Sequence, residues 1–331
     1  RCASQVLYSL QAFKAIDAQA IYSELVQMPW EEIIPDPGYF SVTSNVSNES
    51  INNSMFANLR VKDAIVDRLR DIRTERPKTG AALTGTVIHL HWKDDFAEIF
   101  IDTTGDSIAR HGYRKIPGLA PMLEGLAAAT IYASKWNKKS PFINPMCGSG
   151  TLAIEAALMA SNKVPGLFRS NYAFMHVLGF DAAIYDKERL NIEAQIIDVK
   201  VPIFASDISS KAIENAKLNA LAAGVSEMIS FSVCDFYETH VPEDGAGVMM
   251  VNPEYGDRLG DETALEETYG RIGDFMKKKC GGYWGYVFTG NLDLAKKIGL
   301  KAKRRIEFFN STIDCRLLEY ELYSGSRRVE I

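Results

Sequence analysis

The segment Pro141-Phe142-Ile143-Asn144-Pro145-Met146-Cys147-Gly148-Ser149-Gly150-Thr151 limits the folds open to this chain more than any other stretch. A short apolar run ends in a polar residue, turns through Gly-Ser-Gly and enters Leu152-Ala153-Ile154-Glu155-Ala156-Ala157-Leu158-Met159, which is rich in helix formers. Strand, glycine turn and helix in that order place backbone N–H groups and a helix N-terminus at the carboxyl edge of a parallel sheet. Alone, the pattern implies only a cradle for a nucleotide-like ligand.

The chain around it alternates. Strand patterns fall near 141–144, 202–206, 228–233, 247–252, 283–289, 302–309 and 313–320, and helix patterns near 150–160, 209–223, 264–279 and 291–298. The last two strands lack an intervening helix, which predicts an open α/β sheet closed by an antiparallel hairpin. Leu119 to Ala133 reads as an alanine-rich helix, and residues 161–200 interrupt the alternation as an insertion.

Residues 1 to about 105 read instead as α+β. Ala20 to Val26 is helical and Gly38 to Ser44 has strand alternation. Phe56, Leu59, Ile65, Val66, Leu69 and Ile72 recur at helical spacing until Pro77 stops them. Thr86 to Trp92 and Phe96 to Ile101 bracket Lys93-Asp94-Asp95 as a hairpin, while the Ser- and Asn-rich tract Ser41 to Ser54 reads as a mobile loop. The Thr103-Thr104-Gly105-Asp106 turn and the basic loop Arg110 to Lys115 form a joint, so the expected domains are 1–108 and 109–331. Arg1 to Leu7 reads as the inside of a structured element, and residues upstream are expected to be missing from the first domain.

Bulk properties exclude some classes. At 331 residues the chain can bury two cores, and no apolar run approaches the length of a bilayer span, which argues against a membrane protein. Cys2, Cys147, Cys234, Cys280 and Cys315 show no CxxC spacing, which favours a reduced cytoplasmic setting over a zinc site. His89 and His91 would share a strand face, but further metal ligands are not found, so no metal is expected. A net charge of −5 does not announce a nucleic-acid binder. Basic clusters at 60–78, 110–115, 135–139, 277–279 and 301–305 could nonetheless line a phosphate-tracking surface.

Three further strand ends carry the chemistry. Pro202 to Asp207 ends in an acid before a helix capped by Ser209-Ser210, and a carboxylate there can accept both hydroxyls of a ribose or simply cap the helix. Ser232-Val233-Cys234-Asp235-Phe236 offers a carboxylate for the adenine amino group and a ring for its face. Val248 to Val251 runs into Asn252-Pro253-Glu254-Tyr255-Gly256. An exocyclic base nitrogen is a poor nucleophile because its lone pair is delocalised. The amide oxygen of Asn252 and the carbonyl of Pro253 can accept its two N–H bonds, aiming the lone pair at a methyl donor, while Tyr255 offers a flat face to a base taken out of its stack. Together with the glycine turn, these residues point to methyl transfer from S-adenosylmethionine to an amino group of a nucleobase, with positioning and electrostatics as the means.

The same residues resemble the THUMP-domain-containing RNA guanine-N2 methyltransferases (UPF0020-type methylases), close to the 23S rRNA guanine-N2 methyltransferase L group. The resemblance spans nearly the whole chain: Gly112-Tyr113-Arg114 with the Ala120-Pro121-Met122-Leu123 helix start, Asn144 to Thr151, Ser206-Asp207, Asp235-Phe236, Asn252 to Gly256, and Asp314-Cys315-Arg316-Leu317-Leu318. It implies a smaller THUMP-like RNA-binding domain before a Rossmann-like class I S-adenosylmethionine domain. It assigns cofactor binding to Asn144, Pro145, Met146, Cys147, Gly148, Gly150, Thr151, Asp207, Ile208, Asp235, Phe236 and Asn252, and catalysis to Asn252, Pro253, Glu254 and Tyr255. Two departures stand out. The motif usually opens with Asp where this chain has Asn144, and the usual Asn-Pro-Pro-Tyr has Glu254 in third place, where its carboxylate could help the departing proton leave. The expected substrate is 23S rRNA. A tRNA guanine-N2 enzyme, an adenine-N6 DNA methyltransferase and a non-catalytic RNA-binding factor are the alternatives.

Overall fold

The computed structural model describes residues 1–48, 51, 53–73, 75–117, 121–243, 246–255 and 262–323. They form two compact units, one of residues 3–108 with 169–191, the other of 109–168 and Ile192 onward together with Arg1 and Cys2.

The first unit contains β1 (Leu7–Lys14), α1 (Ala18–Leu25), β2 (Tyr39–Ser47), α2 (Ser54–Ile72), β3 (Lys78–Thr79), β4 (Thr86–Lys93) and β5 (Phe96–Asp102), with sheet order β1-β5-β4-β2-β3. Helix α2 begins where the Asn53 side chain accepts the Met55 N–H, and it buries Ala57, Val61, Ala64, Ile65 and Leu69 at three- and four-residue spacing. These meet Phe40, Leu90, Trp92 and Ile99 from the sheet in one apolar core. The hairpin expected at 86–101 is present as β4 and β5, paired from Val87–Asp102 to Lys93–Phe96. The mobile loop expected at 41–54 is overturned in its first half. Strand β2 runs to Ser47, parallel to β4 in a register from Phe40–Thr86 to Ser47–Lys93. Backbone pairing with β4 does not need apolar side chains, and Val42 and Val46 suffice to tie the strand to the core. Thr43 Oγ1 bonds His89 Nδ1 at 2.8 Å, so His89 is buried and satisfied while His91 is exposed.

The second unit begins with α3 (Glu124–Ala133), β6 (Phe142–Asn144) and α4 (Thr151–Ala160). Helix α3 starts at Glu124, five residues later than expected, with Leu123 at its N-cap in an extended conformation. Leu119 and Ala120 lie outside the described residues. All ten residues of α4 are buried, Glu155 included, whose carboxylate is met by His111 Nδ1 at 2.6 Å and Arg1 Nη1 at 3.2 Å.

The interruption that follows, with α5 (Ala182–Glu193), corrects the expected second domain of 109–331, since residues 169–191 cluster with the first unit. The reason is hydrogen bonding: the Phe174 N–H donates to Thr103 O, the Leu178 N–H to Ile33 O, and the Thr86 hydroxyl to His176 O.

The alternation resumes with β7 (Ile203–Asp207), α6 (Ser210–Ala223), β8 (Ile229–Val233), β9 (Val248–Val251), α7 (Glu262–Lys279), β10 (Trp284–Thr289), α8 (Leu292–Lys297), β11 (Arg304–Asn310) and β12 (Ile313–Glu321). The sheet order is β11-β12-β10-β9-β6-β7-β8. Pairs from β10 through β9, β6 and β7 to β8 are parallel, and β12 pairs antiparallel with both β10 and β11, which is the Rossmann-like sheet with its closing hairpin. Strand β6 has β7 on one side and β9 on the other, so the strand order reverses there and a crevice opens at its carboxyl end. No helix among the described residues is long and apolar enough to cross a membrane.

Candidate active site

The crevice is a cavity of about 640 Å³ walled by the carboxyl ends of β6, β7, β8 and β9, by the start of α4 and by one face of α7. Of the residues singled out in the sequence, Asn144, Met146, Cys147, Gly148, Thr151, Asp207, Ile208, Asp235, Phe236, Asn252, Pro253 and Glu254 lie on its wall. Pro145, Gly150 and Tyr255 do not, and Gly256 lies outside the described residues.

Gly150 is required by geometry. Its φ is +84°, and a Cβ would sit 2.9 Å from Ala216 Cβ on α6. It occupies the N-cap of α4 without a side-chain cap, so the first N–H groups of α4 remain available to an acceptor in the cavity. The turn is anchored from two sides. Gly148 N–H donates to Asp207 Oδ2 at 2.9 Å, and Asn219 Nδ2 donates to Ser149 O at 3.2 Å.

Asp207 does not cap α6. That place belongs to Ser209, whose hydroxyl accepts the Ala212 N–H, while Asp207 Oδ1 accepts the Ser209 N–H at 3.0 Å. Each carboxylate oxygen therefore carries one backbone donor and keeps a lone pair for a hydroxyl. At the end of β8, Asp235 Oδ1 accepts from Tyr237 N–H at 2.9 Å and Arg271 Nη2 at 2.8 Å. Burial pulls this carboxyl upward, but those bonds outweigh it and hold its pKa below the usual value. Phe236 is nearly buried, and Arg271 lies 4.9 Å over its ring, so it offers less face to a ligand than the sequence implied.

Asn144 is buried, and its Nδ2 donates to Met250 O on β9 at 2.9 Å, while Oδ1 has no partner among the described residues. Asn252 Oδ1 is likewise buried and, among the described residues, unpartnered. Two orphaned acceptors on one cavity wall are costly unless a ligand satisfies them. Pro253 is buried beside them and Glu254 is exposed. The Tyr255 hydroxyl accepts from Asn310 Nδ2 at 3.0 Å, and burial pushes its pKa up to about 12. Its ring meets Phe288 edge-on at 6.2 Å. Arg114 ties the approach to α4, donating to Thr151 Oγ1 at 3.0 Å and to Met122 O. No group of His, Cys, Asp or Glu able to hold a metal is found among the described residues.

Residues 111–319 match the methyltransferase domain family described as UPF0020, RMKL-like, and residues 15–102 match the THUMP domain. The chain belongs to the RMKL-like methyltransferase family. It is 36% identical over 333 residues to the "Ribosomal RNA large subunit methyltransferase K/L" of Syntrophotalea carbinolica, covering 97% of this chain and 47% of that protein. The chain thus spans about half the length of this relative. Among solved structures, SMU.472 in complex with SAH superposes with a TM-score of 0.87 at 27% identity, covering 98% of this chain and 85% of that one. A Listeria monocytogenes protein titled a "predicted N6-adenine-specific DNA methylase" gives 0.86 at 29% identity, covering 97% and 83%.

Within this RMKL-like chain, several wall residues escaped the sequence reading: Asn215, Leu265, Thr268 and Arg271, with Asn310 behind Tyr255. Leu265, Thr268 and Arg271 are spaced by three on α7, a periodicity visible in the sequence but mute until α7 is known to close the crevice. Of the basic clusters, Lys135 and Lys303 both lie over the Trp284 ring, at 5.9 and 5.0 Å.

Proposed function

We propose that this chain is an S-adenosylmethionine-dependent RNA methyltransferase that modifies the exocyclic N2 of a guanine in 23S rRNA, in the cytoplasm. The observation that carries the reading is the buried, unpartnered amide oxygen of Asn252 on the cavity wall, beside the buried Pro253. It is an acceptor waiting for a donor, at the end of the strand next to the glycine turn. The SAH complex of the similar SMU.472, the two acidic strand ends and the orphaned Asn144 oxygen support the cofactor. The THUMP domain supports RNA over DNA, and the name of the Syntrophotalea relative supports the large ribosomal subunit.

In this reading the cofactor supplies a methyl group on a positively charged sulfur. Asp207 accepts from the ribose hydroxyls and Asp235 from the adenine amino group. Asn144 Oδ1 would accept from the cofactor's ammonium, and the N–H groups at the start of α4 would donate to its carboxylate. Asn252 Oδ1 and the Pro253 carbonyl accept the two N–H bonds of the guanine amino group and direct its lone pair into the cavity. Tyr255, protonated throughout the physiological range, stacks on the extruded base from a position fixed by Asn310. Exposed Glu254 can take the proton the nitrogen sheds on methylation.

The test is transfer of tritiated methyl groups to deproteinised ribosomal RNA, tRNA and DNA, followed by mass-spectrometric mapping of the product. N2-methylguanine in the large-subunit RNA is expected. Labelled N6-methyladenine in DNA would replace this reading with an adenine-N6 DNA methylase, the activity in the name of the Listeria protein. Tight RNA binding with transfer to none of the three would remove the enzyme reading.

A further inference from the structure

Arg271 lies on α7, a helix that carries none of the site residues the motifs indicate. It makes two contacts that converge on the Asp235-Phe236 pair. Its Nη2 donates to Asp235 Oδ1 at 2.8 Å, and its guanidinium carbon lies 4.9 Å over the Phe236 ring. The same Oδ1 receives the Tyr237 N–H at 2.9 Å. Two donors on one oxygen fix the rotation of a carboxylate about its Cβ–Cγ bond. Among the described residues no donor is seated on Oδ2, so that oxygen keeps its full acceptor capacity.

We propose that Arg271 is a positioning residue for adenine recognition, turning Asp235 so that Oδ2 meets the exocyclic amino group of the cofactor. The proposal rests on the reading above that Asp235 accepts from adenine. An isolated ion pair on an open surface would contribute little. This pair differs because both partners line the cavity, where a bound purine displaces water from them. The planar fork matters as well as the charge. A guanidinium can lie flat over Phe236 while donating sideways to Asp235, and Phe236 in turn is braced edge-on by Phe275 at 6.3 Å. A lysine could supply the charge without that plane. Without Arg271, the Tyr237 N–H alone would hold the carboxylate, which could then swing away from the purine.

The test compares, by calorimetry on the whole chain, S-adenosylhomocysteine with its 6-desamino analogue, in which purine replaces adenine. A hydrogen bond to a charged acceptor predicts that the wild type prefers the adenine compound by on the order of tenfold to a hundredfold. Arg271→Met is expected to reduce that preference to below about threefold, leaving affinity for the desamino analogue within about twofold of wild type. Arg271→Lys should fall between. Asp235→Ala is the reference that loses the preference altogether. If Asp235→Ala loses it while both Arg271 variants keep it, this proposal is overturned and the adenine reading stands. Should Asp235→Ala itself keep the preference, the adenine reading fails and the proposal with it. Equal weakening of both ligands in Arg271→Met would show general structural support and overturn the proposal. If Arg271→Met does not fold, the Arg271→Lys preference decides alone: a value equal to wild type refutes it.

Discussion

Asn144→Asp, which introduces the acid that the family resemblance implies at the head of the motif, should destabilise this protein. Asn144 is 1% exposed, and its Nδ2 donates to Met250 O at 2.9 Å. A carboxylate has no donor, so the substitution removes one buried hydrogen bond and sets an oxygen against the Met250 carbonyl. Losing the bond and leaving the carbonyl unpaired costs about 2–3 kcal/mol, and burying the charge adds to it. A loss of about 3 kcal/mol lowers the melting temperature by roughly 6–12 °C for a unit of this size. The sign of the pH dependence follows from burial, which raises the pKa of the introduced carboxyl above its unfolded value of about 3.9. The loss should therefore be small near pH 4, grow as pH rises, and level off once the folded carboxyl ionises. Calorimetric melting of wild type and variant from pH 4 to 8 reads this directly. Saturating S-adenosylhomocysteine should raise the variant's melting temperature more than the wild type's, because its ammonium compensates the new charge. Equal melting temperatures at pH 7, with parallel pH profiles, would refute the Asn144–Met250 bond as the reason this position carries an amide.

Asn252→Ala should slow single-turnover methyl transfer by about a hundredfold to a thousandfold. Its melting temperature should stay within about 1 °C of wild type, because Asn252 Oδ1 has no partner to lose among the described residues. A large drop in stability would give this oxygen a structural role instead. Glu254→Gln should slow the same turnover and move its pH profile; an unchanged rate and profile would remove the carboxylate from proton transfer. Asp235 sits below its ordinary pKa, burial being outweighed by the Tyr237 and Arg271 bonds, so its ionised form survives until the pH falls below the usual carboxylate range. Affinity for S-adenosylhomocysteine should thus be flat from about pH 5 to 8 and fall only in stronger acid. A midpoint near pH 6, read by calorimetry, would contradict that.

The catalytic unit was legible because its signals are local. Gly148 and Gly150 need positive φ, Ser209 caps a helix, and each acidic strand end precedes its own helix or turn. Every expected strand from 141 to 320 is present within two residues. What was illegible depends on partners distant in sequence. The tract from Ser41 to Ser47 has loop composition, and only pairing with β4 makes it a strand. Strand β1 has burial alternation too irregular to stand out, and is fixed by β5 across a bulge between Ser9 and Gln11. Residues 169–191 follow the glycine motif in the chain yet bond to Ile33, Thr86 and Thr103. Arg271 is one basic residue in a polar helix until α7 is seen over Asp235.

The departure at Asn144 then fits a wider pattern in how this site is held. Beside the Arg271–Asp235 ion pair, three carboxamides link its parts. Asn144 joins β6 to β9, tying the cofactor turn to the strand that ends in Asn252. Asn219 accepts from the Lys115 and Ile116 N–H groups and donates to Ile116 O and Ser149 O, joining the approach loop to the same turn. Asn310 fixes Tyr255 from the closing hairpin. An amide donates and accepts at once, which a carboxylate cannot do, and it adds no net charge beside a cationic sulfur and an anionic RNA. Replacing an acid by Asn144 gives up one attractive charge toward the ammonium and gains a fixed distance between β6 and β9. Methyl transfer depends more steeply on that distance than on ground-state affinity, since misplacing the reacting atoms by about 1 Å can cost a hundredfold in rate.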